Sequence, residues 1–156
     1  MAIDWPKVSI GHVPSYMMSG IPYVTSSANN EVHVLSHGTS PIHIAFPFVT
    51  RWVSIKNTET GDHNRRLRVG FSANGVMSSG SNVPTIGETD PYITIDIGDY
   101  EHTDPILEVM CTDLYFISDY WGVGRAVDFQ IIAGLTNIPR DQMYPLTGSN
   151  GFEGIG

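Results

Sequence analysis

Turn-forming residues interrupt this chain so often that they exclude any fold built from long helices. Its 156 residues include 16 glycines and 10 prolines, and both residue types disfavour the interior of a helix. No stretch of about ten residues or more carries the 3.6-residue period of an amphipathic helix. The chain is therefore expected to fold from short strands joined by turns.

Runs rich in β-branched and aromatic residues lie between the turn signals and are expected to be strands. In order, they are Ile21–Thr25, Glu31–Ser36, Ile42–Phe48, Arg51–Asn57, Arg66–Ser72, Tyr92–Ile97, Ile106–Cys111, Leu114–Ser118 and Val127–Ala133. Alternation is clearest in 92–97, where three isoleucines share one face. The segment Ile106–Cys111 alternates in the same way, which indicates strands with one buried and one solvent-facing side.

The regular spacing of these runs predicts an all-β fold. An antiparallel β-sandwich fits best, and specifically a single eight-stranded jelly roll, because two four-stranded sheets need a chain of about this length. We expect one domain over residues 1–156, with an extended N-terminal arm at about 1–18 and a Gly/Pro-rich C-terminal arm at about 136–156. The Ser-, Gly- and Asn-rich stretch Ser72–Asp90 is expected to be a long surface loop.

The charge composition excludes several classes of protein. The chain has 16 acidic and 8 basic residues, a net charge of −8, and only 15% charged residues. An acidic chain argues against direct nucleic-acid binding, because little would offset the repulsion of the phosphates. No apolar run approaches the roughly 18 residues needed to span a membrane. A single cysteine rules out a disulfide framework.

The charges are segregated along the chain by sign. Five of the eight basic residues lie in 51–68, and eight of the sixteen acids lie in 88–113, where no Lys or Arg interrupts them. One interpretation is that these are solvated clusters, and another is a Ca²⁺ site in Asp96–Asp104. The third is that the two blocks meet between neighbouring copies. The candidate subunit-interface residues are then Arg51, Lys56, Arg65, Arg66, Arg68, Asp96, Asp99, Glu101 and Asp104.

Motifs for chemistry are weak, and we predict no catalytic residues, no cofactor and no metal ligands. His33 and His37 would lie about 13 Å apart on a strand, too far to share one metal ion. Cys111 belongs to an alternating strand, which predicts a buried, inert thiol. No Gly-x-Ser-x-Gly elbow of a serine hydrolase is present.

The succession of strands resembles that of a known family. The segments Phe46–Asn57, Leu67–Ser72 and Leu107–Ile117, with the tail residues 135–139 and 146–156, are similar to viral single jelly-roll capsid proteins. The nearest type is the penton or minor capsid protein of large icosahedral double-stranded DNA viruses. The resemblance implies a structural protein of the virion without catalysis, assembled in the host cytoplasm or nucleus. Its partners would be copies of itself, as a pentamer at the fivefold vertices, and neighbouring capsid proteins.

Two other functions fit the same sequence. A lectin-like carbohydrate-binding β-sandwich could use Tyr120, Trp121 and the loop Ser72–Asp90, because aromatic rings stack on sugars. A cupin-like metal-binding protein could bring His33 and His43 together from adjacent strands, although the further ligands of that family's signature are not found.

Overall fold

The computed structural model describes residues 21–26, 41–58, 66–77, 92–96, 106–118 and 127–144. These ranges contain eight strands, one short α-helix and one 3-10 helix. The strands are β1 (Ile21–Ser26), β2 (Ile42–Ala45), β3 (Phe48–Asn57), β4 (Leu67–Gly70), β5 (Tyr92–Ile95), β6 (Ile106–Leu107), β7 (Asp113–Ser118) and β8 (Phe129–Pro139). Helix α1 (Ala73–Met77) follows β4, and the 3-10 helix (Arg140–Gln142) follows β8.

The strands form two antiparallel sheets of four. The first sheet has the order β1-β8-β3-β6, and the second sheet has the order β2-β7-β4-β5. The pairings are nested along the chain, since the first strand pairs with the last, β2 with β7, β3 with β6, and β4 with β5. All of these pairs are antiparallel, so the all-β antiparallel class predicted from the strand pattern is confirmed.

Eight of the nine expected strands overlap an observed strand, and the ninth, Glu31–Ser36, lies outside the described residues. Two expectations need correction. Strand β8 runs on to Pro139 and buries Thr136 and Ile138, so the C-terminal arm does not begin at about residue 136. The expected loop Ser72–Asp90 begins instead with helix α1, which buries Val76. The N-terminal arm and residues 145–156 lie outside the described residues.

The hydrophobic core lies between the two sheets, because each sheet turns its alternating apolar residues toward the other. In β8 the buried residues Phe129 and Ile131 alternate with the exposed residues Gln130 and Ile132. Phe129 of the first sheet stacks on Phe116 of the second, with ring centroids 4.6 Å apart and planes at 13°. This aromatic pair joins the two sheets directly.

A buried threonine holds the edge of the first sheet in place. Strand β3 shifts register on either side of Thr50, and the Thr50 hydroxyl donates to the carbonyl oxygen of Val109 at 2.8 Å and accepts from the amide of Cys111 at 3.0 Å. These bonds tie the residues after β6 to β3. Cys111 is fully buried, as predicted, and burial raises the pKa of its thiol to about 11, so it stays protonated at neutral pH.

The core pair generates a stability prediction. Phe129→Ala should lower the free energy of unfolding by about 3–5 kcal/mol, because it removes a buried ring and leaves a cavity between the sheets. Ile132→Ala changes a half-exposed side chain on the outer face of the same strand and should cost about 0.5 kcal/mol or less. Urea denaturation of both variants measures the difference, and equal losses would contradict the assignment of the inner face.

Gly134 of β8 allows the close approach of a tryptophan ring. Trp52 of β3 lies opposite it, and a Cβ at position 134 would lie 2.7 Å from Cε2 of Trp52. Carbon atoms cannot approach so closely, so only glycine fits without moving the indole. We expect Gly134→Ala to cost about 1–3 kcal/mol through overpacking.

The contact itself is tested by a double-mutant cycle with Trp52→Leu, which removes the indole. The alanine at position 134 should cost much less in that background, because its methyl group no longer meets the ring. Strictly additive losses of unfolding free energy would show that the contact is not the cause.

Candidate functional site

A groove of about 640 Å³ lies where the start of β7, strand β2 and the segment after β8 come together. Its walls combine polar and aromatic side chains. The residues that matter for its chemistry are His43, Phe71, Asp113, Tyr115, Arg140 and Tyr144. Strands β2 and β7 belong to the second sheet, and Arg140 follows β8 of the first sheet. The groove therefore lies where the ends of the two sheets meet.

Asp113 is the centre of the polar network in this groove. Its Oδ1 accepts hydrogen bonds from His43 Nε2 and from Arg140 Nη2, both at 2.6 Å, and its Oδ2 accepts from the Thr112 hydroxyl at 2.7 Å. The sheet register explains the first contact. His43 pairs with Tyr115, two residues from Asp113 on the same face of β7, and such diagonal neighbours are within reach of each other.

Two opposing effects act on the pKa of Asp113. Partial burial raises it, but the hydrogen bonds from Thr112, His43 and Arg140, together with the positive charge of Arg140, outweigh burial and hold the pKa below its ordinary value of 3.8. The carboxylate is therefore ionised at neutral pH. Since it links β2, β7 and the segment after β8, it stabilises the relative position of the two sheets.

The same geometry orders the side chains around the carboxylate. The His43 and Tyr115 rings are stacked, with centroids 4.5 Å apart and planes at 7°. Arg140 is held by Asp113, yet its side chain keeps 43% of its exposure, and that of His43 keeps 42%. The network therefore presents two fixed, solvent-accessible nitrogen-bearing groups to the groove.

The lowered pKa of Asp113 predicts a pH-dependent contribution to stability. A carboxyl with a depressed folded-state pKa stabilises the fold fully above its ordinary pKa, and this contribution is lost as the pH falls through the folded-state value. Wild type should therefore be more stable than Asp113→Asn at neutral pH, and the difference should shrink below a pH of about 3.8.

Urea denaturation over a series of pH values measures this difference. Asp141→Asn serves as the control, since it removes an exposed carboxylate in the same groove. If the difference between wild type and Asp113→Asn did not depend on pH, the stabilisation could not come from the ionised carboxylate.

The structure places the candidate interface charges in different settings. Arg66 Nε lies 2.8 Å from Asp96 Oδ1, so one member of each charge block meets the other within a single chain, beside the paired strands β4 and β5. Arg68 is buried, with its guanidinium 4.4 Å from the ring centroid of Tyr92. Two more are exposed on β3, namely Arg51 and Lys56. Arg65, Asp99, Glu101 and Asp104 lie outside the described residues, and the interface itself stays a prediction.

Several other candidates also fall outside the described residues: His33, His37, Tyr120 and Trp121, together with most of the acidic stretch Asp96–Asp104. Within the described ranges, no three His, Cys, Asp or Glu side chains come together as a metal site would require. In that same part of the chain, no helix has the length and apolar character needed to cross a bilayer.

A second surface, missed by the sequence analysis, is the outer face of the first sheet. The register aligns Val24, Ile132, Ser54 and Ile106 in one row across all four strands. Their three large apolar side chains are exposed, by 70% at Val24, 49% at Ile132 and 64% at Ile106. We call this the apolar row. The sequence contains one sign of this exposed apolar face: Ile132 follows Ile131, at a position where alternation predicts a polar residue.

The rows on either side of the apolar row carry little charge. One contains Pro22, Gly134 and Trp52, and the other contains Ser26, Gln130 and Lys56. Lys56 is the only charged residue among the paired positions of these three rows. The paired positions of these three rows are therefore nearly neutral on a chain of net charge −8, while Arg51 of β3 and Glu108, just after β6, are exposed charged residues near them.

Comparisons of this chain with protein-family models, with curated proteins and with solved structures found no match.

Proposed function

We propose that this chain is a single jelly-roll structural protein that assembles with copies of itself, as the penton subunit of an icosahedral viral capsid does. The nested pairing supports the jelly-roll part of the proposal. Folding one long antiparallel hairpin onto itself gives pairs of first with last and second with second-last, and it places β8 between β1 and β3 and β7 between β2 and β4.

The observation that carries the assembly proposal is the apolar row. Val24 and Ile132 are direct neighbours, and Ile106 lies one strand beyond Ser54. Large exposed apolar side chains grouped on one face indicate a surface that a partner covers. Each Å² of apolar surface removed from water is worth about 25 cal/mol, so covering Val24, Ile132 and Ile106 favours association. A composition with only 15% charged residues agrees with a protein whose surface is largely covered by neighbours.

The near neutrality of these rows makes a second copy a compatible partner at this face. Copies with a net charge of −8 repel each other, and repulsion is smallest where the surface is nearly neutral. A ring of five requires a heterologous contact, so the apolar row of one copy would meet a different surface of the next copy.

This proposal predicts the mass of the particle in solution. Light scattering and native mass spectrometry of the full chain should give five times the monomer mass of 17.1 kDa. Ile132→Lys should weaken association by at least about tenfold, because it places a charge in the apolar row at a cost of about 1.4 kcal/mol or more.

Ile93→Lys is the matched control, since Ile93 has a similar exposure of 41% but lies on β5 of the second sheet. The control should assemble as wild type does. A wild-type chain that stays monomeric at high concentration would refute self-assembly. Normal assembly of Ile132→Lys would instead show that the apolar row is not the interface.

A further inference from the structure

We propose that the groove beside Asp113 is a binding site for a neutral saccharide. The ligand is inferred from what the groove offers, which is aromatic surface next to a few fixed hydrogen-bonding groups. A saccharide ring has the complementary chemistry, because it presents an apolar C–H face surrounded by hydroxyl groups. The proposal concerns a different surface from the apolar row and does not depend on self-assembly.

The size and walls of the groove fit such a ligand. Its volume of about 640 Å³ falls within the range of about 300–1,000 Å³ that is usual for small-molecule sites. Tyr144 lies in its wall with 65% of its surface exposed, and Phe71 and Met143 add apolar surface. An exposed tyrosine can cover the apolar face of a sugar and use its hydroxyl at the rim.

The polar groups of the groove are fixed before any ligand arrives. Asp113 holds Arg140 and His43 by bonds of 2.6 Å, and His43 is further oriented by stacking on Tyr115. Only one nitrogen of the His43 ring bonds to Asp113, and the other nitrogen of a neutral imidazole is an acceptor, whereas a guanidinium carries five donor hydrogens. An acceptor on His43 and donors on Arg140 therefore remain for ligand hydroxyls, and little side-chain entropy is lost on binding because the groups are already ordered.

Charge selects a neutral ligand over an anionic one. The positive charge of Arg140 is paired with the carboxylate of Asp113, and Asp141 adds a further negative charge to the wall. The groove thus has no net positive charge to attract a phosphate or a sialic acid, while its acceptor oxygens suit hydroxyl donors. This balance distinguishes the site from a phosphate-binding pocket, which needs an excess of cations.

The experiment is a printed array of neutral, sialylated and sulfated glycans probed with the full chain, followed by titration of a bound neutral glycan in solution. We expect binding to neutral glycans only. Tyr144→Ala should weaken it by at least about tenfold, as loss of about 1.4 kcal/mol of stacking implies. Tyr144→Phe should retain most of the affinity, because it keeps the ring. Ile93→Ala, outside both the groove and the apolar row, should bind as wild type does.

Each outcome decides the proposal. Binding of neutral glycans that requires the ring at position 144 supports it. The absence of any bound glycan, binding of acidic glycans only, or full binding by Tyr144→Ala would overturn it. Circular dichroism and the oligomeric mass of Tyr144→Ala should match wild type, so a loss of glycan binding is distinguished from a failure of the fold or of assembly.

Discussion

The fold depends on β8, the one strand that pairs with both β1 and β3. It supplies the inner face of the first sheet with Phe129, Ile131, Ala133 and Leu135, all buried. Its backbone is hydrogen-bonded on both edges. A shift of its register by one residue would therefore move every one of these side chains out of the core. The close approach of Trp52 at Gly134 adds a second constraint on that register.

The apolar row and the groove beside Asp113 both depend on the position of β8. Its outward residue Ile132 lies in the middle of the apolar row, between Val24 and Ser54. Arg140, in the 3-10 helix that directly follows β8, bonds to Asp113 at the start of β7, where the ends of the two sheets meet. The strand thus links a neutral face suited to a neighbouring copy with a groove suited to a small polar ligand. The two surfaces can act independently because they lie on different parts of the sandwich.

Local pattern predicted the strands well and their limits less well. In 106–111 the alternation correctly separates the exposed residues Ile106 and Met110 from the buried Cys111. The predicted start of the C-terminal arm at about residue 136 was wrong, because Pro139 and the glycines after it are typical of an arm, whereas β8 continues to Pro139. Thr136 is nevertheless buried there, since its hydroxyl donates to the carbonyl oxygen of Val49 at 2.8 Å. A bond between residues so distant in the chain leaves no local signal.

The sequence by itself determined the all-β class and the buried side of strands such as β3, because alternation of apolar and polar residues is a local property with a period of two. It did not do so everywhere, since Ile93 of β5 is exposed and Arg68 of β4 is buried. Only the tertiary structure decided which strands are neighbours. Register between distant strands brought His43, Asp113 and Arg140 into one network, aligned Val24, Ile132 and Ile106 into one row, and paired Arg66 with Asp96 inside the chain. These contacts join residues far apart in sequence, and no local pattern encodes them.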